Sequence, residues 1–178
     1  MTAIGCVTGR FQPVHDQHLD LFTLALASCE HLIIAITNPD AASRRPEDLA
    51  AHRHTDAANP FTYYERARLL DAASRARGFD GRVTMVPFDL TQPDQWVHYV
   101  PLAARQFVRA YGEWEREKAT RLTQAGYIVT LIQGDPTDRR SAADIRTSLT
   151  NGDARWRTLA PAGTENLLER FTRAAASR

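Results

Sequence analysis

Apolar residues gather in three runs of strand length, Ala3 to Thr8, Leu32 to Thr37 and Val83 to Phe88, each rich in Ile, Val, Leu or Met and closed by polar or proline residues. Tyr127 to Gln133 forms a fourth run and Gln106 to Tyr111 a weaker fifth. Short, bounded apolar runs of this kind predict strands. Between them lie helix-like stretches: Leu19 to Cys29, Thr62 to Arg77 and the mostly charged Glu113 to Ala125. Ser141 to Leu149 and Thr164 to Ala175 read as closing helices. Strands that alternate with helices predict an α/β fold, a Rossmann-like doubly wound parallel sheet of about five strands with helices on both faces. Ligands bind such sheets at the carboxyl ends of the strands.

Two segments break the alternation. Residues 38–59 carry Pro39, Pro46, Arg44, Arg45, Arg53, His52 and His54 with almost no large apolar side chain, which predicts a long lid-like loop on the ligand side. Gly134 to Arg140 is a second polar loop. A chain of 178 residues is long enough for one domain and short for two, so a single domain over 1–178 is expected.

Composition narrows the classes of function. With 22 basic and 21 acidic residues the net charge is only +1, which argues against general nucleic-acid or membrane-surface binding and makes any anion site local. No run approaches the ~18 apolar residues that would span a membrane. The first residues lack the basic-then-apolar pattern of a signal peptide, so a cytoplasmic location is expected. Cys6 and Cys29, each beside an apolar run and far from clustered ligands, predict buried reduced thiols and no zinc site.

The candidate chemistry follows the first strand. Thr8-Gly9-Arg10-Phe11-Gln12-Pro13-Val14-His15-Asp16-Gln17-His18 runs from a strand end into a helix start. Gly9 permits a close-approach turn, and the helix beginning near Asp16 aims free N–H groups and its positive dipole end at the crevice. His15 and His18, three apart, can face one anion. Metal ligation by the pair is the rival reading, with no third ligand placed by spacing.

These residues resemble the nucleotidylyltransferase superfamily, whose signature is His-x-Gly-His after the first strand. More narrowly, Gly9-Arg10-Phe11-Gln12-Pro13-x-His15 is similar to the archaeal-type nicotinamide mononucleotide adenylyltransferases. Asn59-Pro60-Phe61-Thr62, with Glu65 and Arg66, resembles the segment that opens the helix after the lid loop in that family. Thr62 and Glu65 also fit a capping box. Asp89, with Trp96 seven residues on, has the family's spacing for holding nicotinamide. Trp96 as a plain core anchor is the alternative. Ser141 to Arg146 resembles the superfamily's second signature at a helix start.

The resemblance implies direct attack of an acceptor phosphate on the α-phosphorus of a nucleoside triphosphate, with release of pyrophosphate. It assigns His15, His18 and Arg146 to catalysis, and Gly9, Arg10, Phe11, Gln12 and Ser141 to the triphosphate. Asp89, Trp96 and Asn38 fall to the acceptor, and magnesium is held mainly through substrate phosphates. ATP and nicotinamide mononucleotide giving NAD is the leading expectation, and the resemblance implies a homo-oligomer, for which Trp114 or Tyr99 offer aromatic surface. Departures point the other way. Gln17 stands where the signature has glycine, Ala143 replaces a threonine, and Thr37-Asn38-Pro39-Asp40 and Tyr111-Gly112-Glu113-Trp114 differ from the family's loops. They motivate CTP with another small phosphate or phosphonate, or a chain that binds nucleotide without turnover.

Overall fold

A computed structural model describes residues 2–46 and 54–178. His52 and Arg53 of the expected lid lie outside the described residues. Five parallel strands, β1 (Thr2–Gly9), β2 (Cys29–Thr37), β3 (Val83–Phe88), β4 (Arg105–Ala110) and β5 (Val129–Gln133), form one sheet in the order β3-β2-β1-β4-β5. The helices are α1 (Asp16–Leu26), α2 (Tyr63–Ala76), α3 (Glu113–Gln124), α4 (Ala142–Thr150), the single turn α5 (Trp156–Leu159) and α6 (Glu165–Ala176).

Alternation along the strands sends side chains to two cores. Val7, Leu32, Ile34, Ile36 and Phe107 meet α1, α2 and the C-terminal helices, where Phe22, Leu69, Leu70, Ile145 and Phe171 are buried. Cys6, Ile33, Ala35 and Val108 meet Ala119 and Leu122 of α3, together with Phe88, Trp96 and Tyr127. Helices therefore cover both faces, as the pattern predicts. Each large apolar side chain fully buried contributes roughly 1.5–3 kcal/mol. Both cysteines are free and buried, and burial pushes the Cys6 thiol up to about 12.

Some boundaries differ from the pattern. The chain leaves α1 at Leu26, and β2 begins at Cys29, because the Cys29 to His31 backbone pairs with β1. α2 does open on the predicted capping box, with Thr62 Oγ1 accepting from the Glu65 N–H at 3.2 Å and Glu65 Oε2 accepting from the Thr62 N–H at 2.8 Å. Short 3-10 turns at Asp56–Ala58 and Pro93–His98 interrupt stretches with no helical periodicity.

Between β3 and β4 the chain crosses from one side of β1 to the other. The carboxyl ends of β1 and β4 part there, and ligands of such sheets bind where the winding reverses.

Candidate active site

Gly9 closes β1, and a Cβ there would stand 2.8 Å from Cζ of Phe11, so glycine is what the turn admits. Phe11 itself has φ +51° and turns its buried ring inward, edge-on to His18 at 4.9 Å and to Phe22 at 5.8 Å. The Gln12-Pro13 peptide bond is cis. Gln12 is buried, and its amide grips the main chain of Phe61. Nε2 donates to the Phe61 carbonyl at 2.9 Å and Oε1 accepts from the Phe61 N–H at 3.0 Å.

Arg66 fastens the same loop from below. Only 1% exposed, it donates from Nη1 to the carbonyls of Arg10 (2.8 Å) and Thr37 (2.7 Å), from Nη2 to Asn38 (2.7 Å) and from Nε to Thr62 (3.2 Å). One guanidinium thus ties the carboxyl ends of β1 and β2 to the start of α2. Burial lowers its pKa to about 10, so it stays charged at neutral pH, and the four carbonyl dipoles compensate that charge.

His15 is the N-cap of α1, and the two histidine rings stack with centroids 3.7 Å apart. His18 Nδ1 accepts the His15 backbone N–H at 3.2 Å, which leaves the ring proton on Nε2, a donor for an incoming oxygen. His15 Nδ1 is buried with no hydrogen-bond partner among the described residues. Burial, with Arg140 and Arg139 nearby, lowers the His15 pKa to about 4. Burial, with His15, Lys118 and Arg109, holds His18 well below its usual value. Both rings are therefore neutral at pH 7 and surrounded by cations.

The crevice they face, of about 230 Å³, gathers Gly9, Arg10, Phe11, Gln12, His15, His18, Ser141 and Arg146, every residue expected at the triphosphate and the catalytic centre. Ser141 caps α4, accepting the Ala143 N–H at 3.1 Å. Arg146 crosses to the carbonyl of Gln12 at 2.6 Å. Phe11 and Gln12 line this space, yet their side chains brace the loop.

The acceptor residues are dispersed. Asp89 turns its carboxylate onto its own loop, accepting from the Thr91 N–H and hydroxyl and from Gln92 Nε2. Trp96 is 2% exposed, stacks on Phe88 and donates its indole N–H to the Asp89 carbonyl at 2.7 Å. This corrects the expectation of an indole face offered to a planar ring: the apolar body fills the α3-side core, and the N–H has its partner there. Asn38, at φ +50°, lines a small pocket at the end of β2 with Arg10, Ser43 and Arg45.

Sequence reasoning missed Arg109, Lys118 and Arg139, which line the crevice, and marked Tyr111, which lines it too, only as a departure from the family's loops. Lys118 in a charged helix and Arg139 in a polar loop read as solvated, and Arg109 falls in the weakest of the five apolar runs. Gly134 admits Tyr111, because a Cβ there would lie 2.6 Å from its ring. Tyr111, half-buried, then reaches Gln17: its hydroxyl and the Arg140 N–H both donate to Gln17 Oε1, at 3.2 and 2.8 Å, while Gln17 Nε2 donates to the Asp138 carbonyl.

A crevice lined by two histidines and several arginines stands at the switch point of a parallel sheet, and the chain belongs to the Cytidylyltransferase-like family, whose model matches residues 6–148. It is 33% identical over 159 residues to a phosphonoformate cytidylyltransferase of Streptomyces viridochromogenes, covering 88% of this chain and 85% of the relative. It is 30% identical over 158 residues to a nicotinamide-nucleotide adenylyltransferase of Pyrococcus horikoshii, covering 88% and 77%. A bifunctional NMN adenylyltransferase/ADP ribose pyrophosphatase from Francisella tularensis shares the fold, with a TM-score of 0.67 at 20% identity over 97% of this chain. This chain spans 50% of that longer one. The resemblance carried by Gly9 to His18 is borne out, and the protein is a nucleotidyltransferase. Among the described residues no helix is long and apolar enough to cross a membrane.

Proposed function

We propose that the protein transfers a cytidylyl group from CTP to a small phosphonate- or phosphate-bearing acceptor, releasing pyrophosphate. The observation that carries this reading is Gln17. Its amide is held between α1, Tyr111 and the loop after β5, occupying space beside the helix start where the resemblance sets a glycine against the nucleotide. A single-ring base asks for less room there than a purine. On the acceptor side, the Asp89 carboxylate is taken up by Thr91 and Gln92 and the Trp96 N–H by the Asp89 carbonyl, which weakens the support expected for nicotinamide. The phosphonoformate cytidylyltransferase relative supports the same pair of substrates.

In the mechanism an acceptor oxygen attacks the α-phosphorus. The new P–O bond forms as the bond to the β-bridging oxygen breaks, and its electron pair leaves with pyrophosphate. The acceptor is already ionised, so neither histidine need act as a base. His18 donates a hydrogen bond from its Nε2–H to the oxygens that gain charge, while Arg146, the α4 N-terminus and Arg139 and Arg140 hold the outer phosphates. Among the described residues no three His, Cys, Asp or Glu side chains converge, and Glu115 is paired with Arg139, a donor set that fits magnesium carried by the phosphates rather than by the protein. Magnesium so bound supplies further neutralisation of the leaving pyrophosphate.

Pyrophosphate release is measured with each of the four triphosphates, offering phosphonoformate, phosphonoacetate or nicotinamide mononucleotide. CTP with a small phosphonate is expected to dominate, and Gln17→Gly to raise ATP use relative to CTP by about tenfold. Faster turnover of ATP with nicotinamide mononucleotide would overturn the proposal in favour of NAD synthesis. No release above a His18→Ala control with any pair would point to a nucleotide-binding protein without turnover.

A further inference from the structure

The crevice opens outward past the first turns of α3. Trp114, half-buried, lines the crevice, the small pocket at the end of β2 and a larger outer cleft of about 1050 Å³ bounded by Leu90, Trp96 and Arg121. It marks the throat between them. One turn further along α3, the Lys118 ammonium stands 5.3 Å from the centre of the Trp114 ring, and its Nζ donates to the carbonyl of Thr8 at 3.1 Å. This charge sits beside the point where β1 and β4 part. The hydroxyl of the same Thr8, on a residue 6% exposed, has no hydrogen-bond partner among the described residues.

An in-line displacement constrains where the second anion arrives. The attacking oxygen approaches the α-phosphorus on the side away from the departing pyrophosphate. Pyrophosphate leaves toward the α4 N-terminus with Arg146, Arg139 and Arg140, so the acceptor needs positive charge on another element. Arg109 is directed toward α1, donating to the Gln17 carbonyl at 3.2 Å, and Arg10 toward Ala58 at 3.4 Å. Lys118, against Trp114, is the α3 cation on the crevice side of the throat, with Arg10 and Arg45 lining the small pocket beyond it. Its aliphatic stem lies along α3 while its head reaches the crevice, and a compact ammonium on a flexible stem can follow an oxygen as it moves into the bond.

We propose that Lys118 is an acceptor-binding residue: its ammonium, beside the Thr8 hydroxyl, receives the anionic oxygens of the incoming phosphonate or phosphate at the throat and holds them against the α-phosphorus. Lys118 neither gives nor takes a proton; it offsets the repulsion between two anions brought into contact. The inference rests on the nucleotidyl-transfer reading but not on which base the donor carries.

Phosphonoacetate and tripolyphosphate, titrated separately by calorimetry into the wild type, Lys118→Met and Lys118→Arg, separate the two anion sites. Lys118→Met is expected to weaken phosphonoacetate by about 10- to 100-fold, the worth of one charge-assisted hydrogen bond, and tripolyphosphate by less than about threefold. Lys118→Arg recovers most of the phosphonoacetate binding. In turnover, the loss falls on kcat/KM for the acceptor with whichever triphosphate gives product. Should Lys118→Met melt early, Lys118→Gln, which keeps a donor for the Thr8 carbonyl, is read the same way. Equal losses for both probes, unchanged phosphonoacetate binding, or a wild type that binds no phosphonoacetate overturns the proposal. A donor that proves to be ATP refutes only the CTP reading, since the split between probes would persist.

Discussion

Gln12 and His15 sit three residues apart in one loop, both almost closed to solvent, yet their polar atoms are treated in opposite ways. Both ends of the Gln12 amide are paired with the Phe61 main chain, and Arg66 beneath it meets four carbonyls. His15 Nδ1 has no partner among the described residues, and the two histidine rings are pressed together, neutral, among arginines. The loop therefore has a floor whose hydrogen bonds are complete and a wall with a buried ring nitrogen left unpaired among the described residues. Buried polar groups left unpaired cost stability. A floor that is over-determined can hold a wall that is not.

Substitutions can break this contrast, and the largest effect is expected at the floor. Arg66→Met strands the carbonyls of Arg10, Thr37, Asn38 and Thr62, and should cost about 3–5 kcal/mol in urea unfolding, with a fall in Tm of roughly 10 °C. An unchanged Tm would mean that those strand ends need no tie. His18→Ala should do the reverse, lowering kcat by about 10²–10³-fold while shifting Tm less than Arg66→Met does. Steady-state pyrophosphate release beside thermal melts checks both, and a stability loss matching that of Arg66→Met would dissolve the distinction.

The wall's strain should also appear in pH dependence. The His15 pKa is about 4 in the folded chain against 6.5 when unfolded, so between these values the unfolded chain binds the proton that the native state refuses. Stability is then full above pH 6.5 and falls as the pH drops toward 4, by roughly 3 kcal/mol from this group. Urea titrations at pH 7, 5.5 and 4 should show a steeper acid loss for the wild type than for His15→Gln. Saturating tripolyphosphate should flatten the difference, because an anion favours the imidazolium. Parallel curves for the two proteins would refute it.

How much of this was legible in the sequence depended on how local each signal was. The apolar runs marked β1, β2 and β3 within a few residues, and Thr62 with Glu65 marked the start of α2. Gly9 to His18 and Ser141 to Arg146, over 120 residues apart along the chain, were each readable as phosphate-handling helix starts because N-cap and dipole chemistry is local. Their meeting, with Arg146 on the Gln12 carbonyl, was implied only by resemblance. Lys118 and Arg139 were not legible, since a basic residue in a polar helix or loop is ordinarily solvated, and Arg109 stands in a strand whose sequence gives no sign of which sheet face carries a ligand. Trp96 was ambiguous for a related reason: a tryptophan among polar neighbours can serve a ligand or a core, and only its stacking on Phe88 decides.

By itself the sequence determined the parallel α/β class, the positions of the strands and the two helix starts able to receive phosphate, because hydrophobic period, capping and glycine placement act over a few residues. The tertiary structure alone decided the strand order that opens a crevice between β1 and β4. It also decided the burial of Arg66 under that crevice, the lodging of Gln17 between Tyr111 and Arg140, and the arrival of Lys118 at the throat. Those depend on contacts between segments 29 to 123 residues apart, whose geometry is fixed when two cores pack on opposite faces of one sheet.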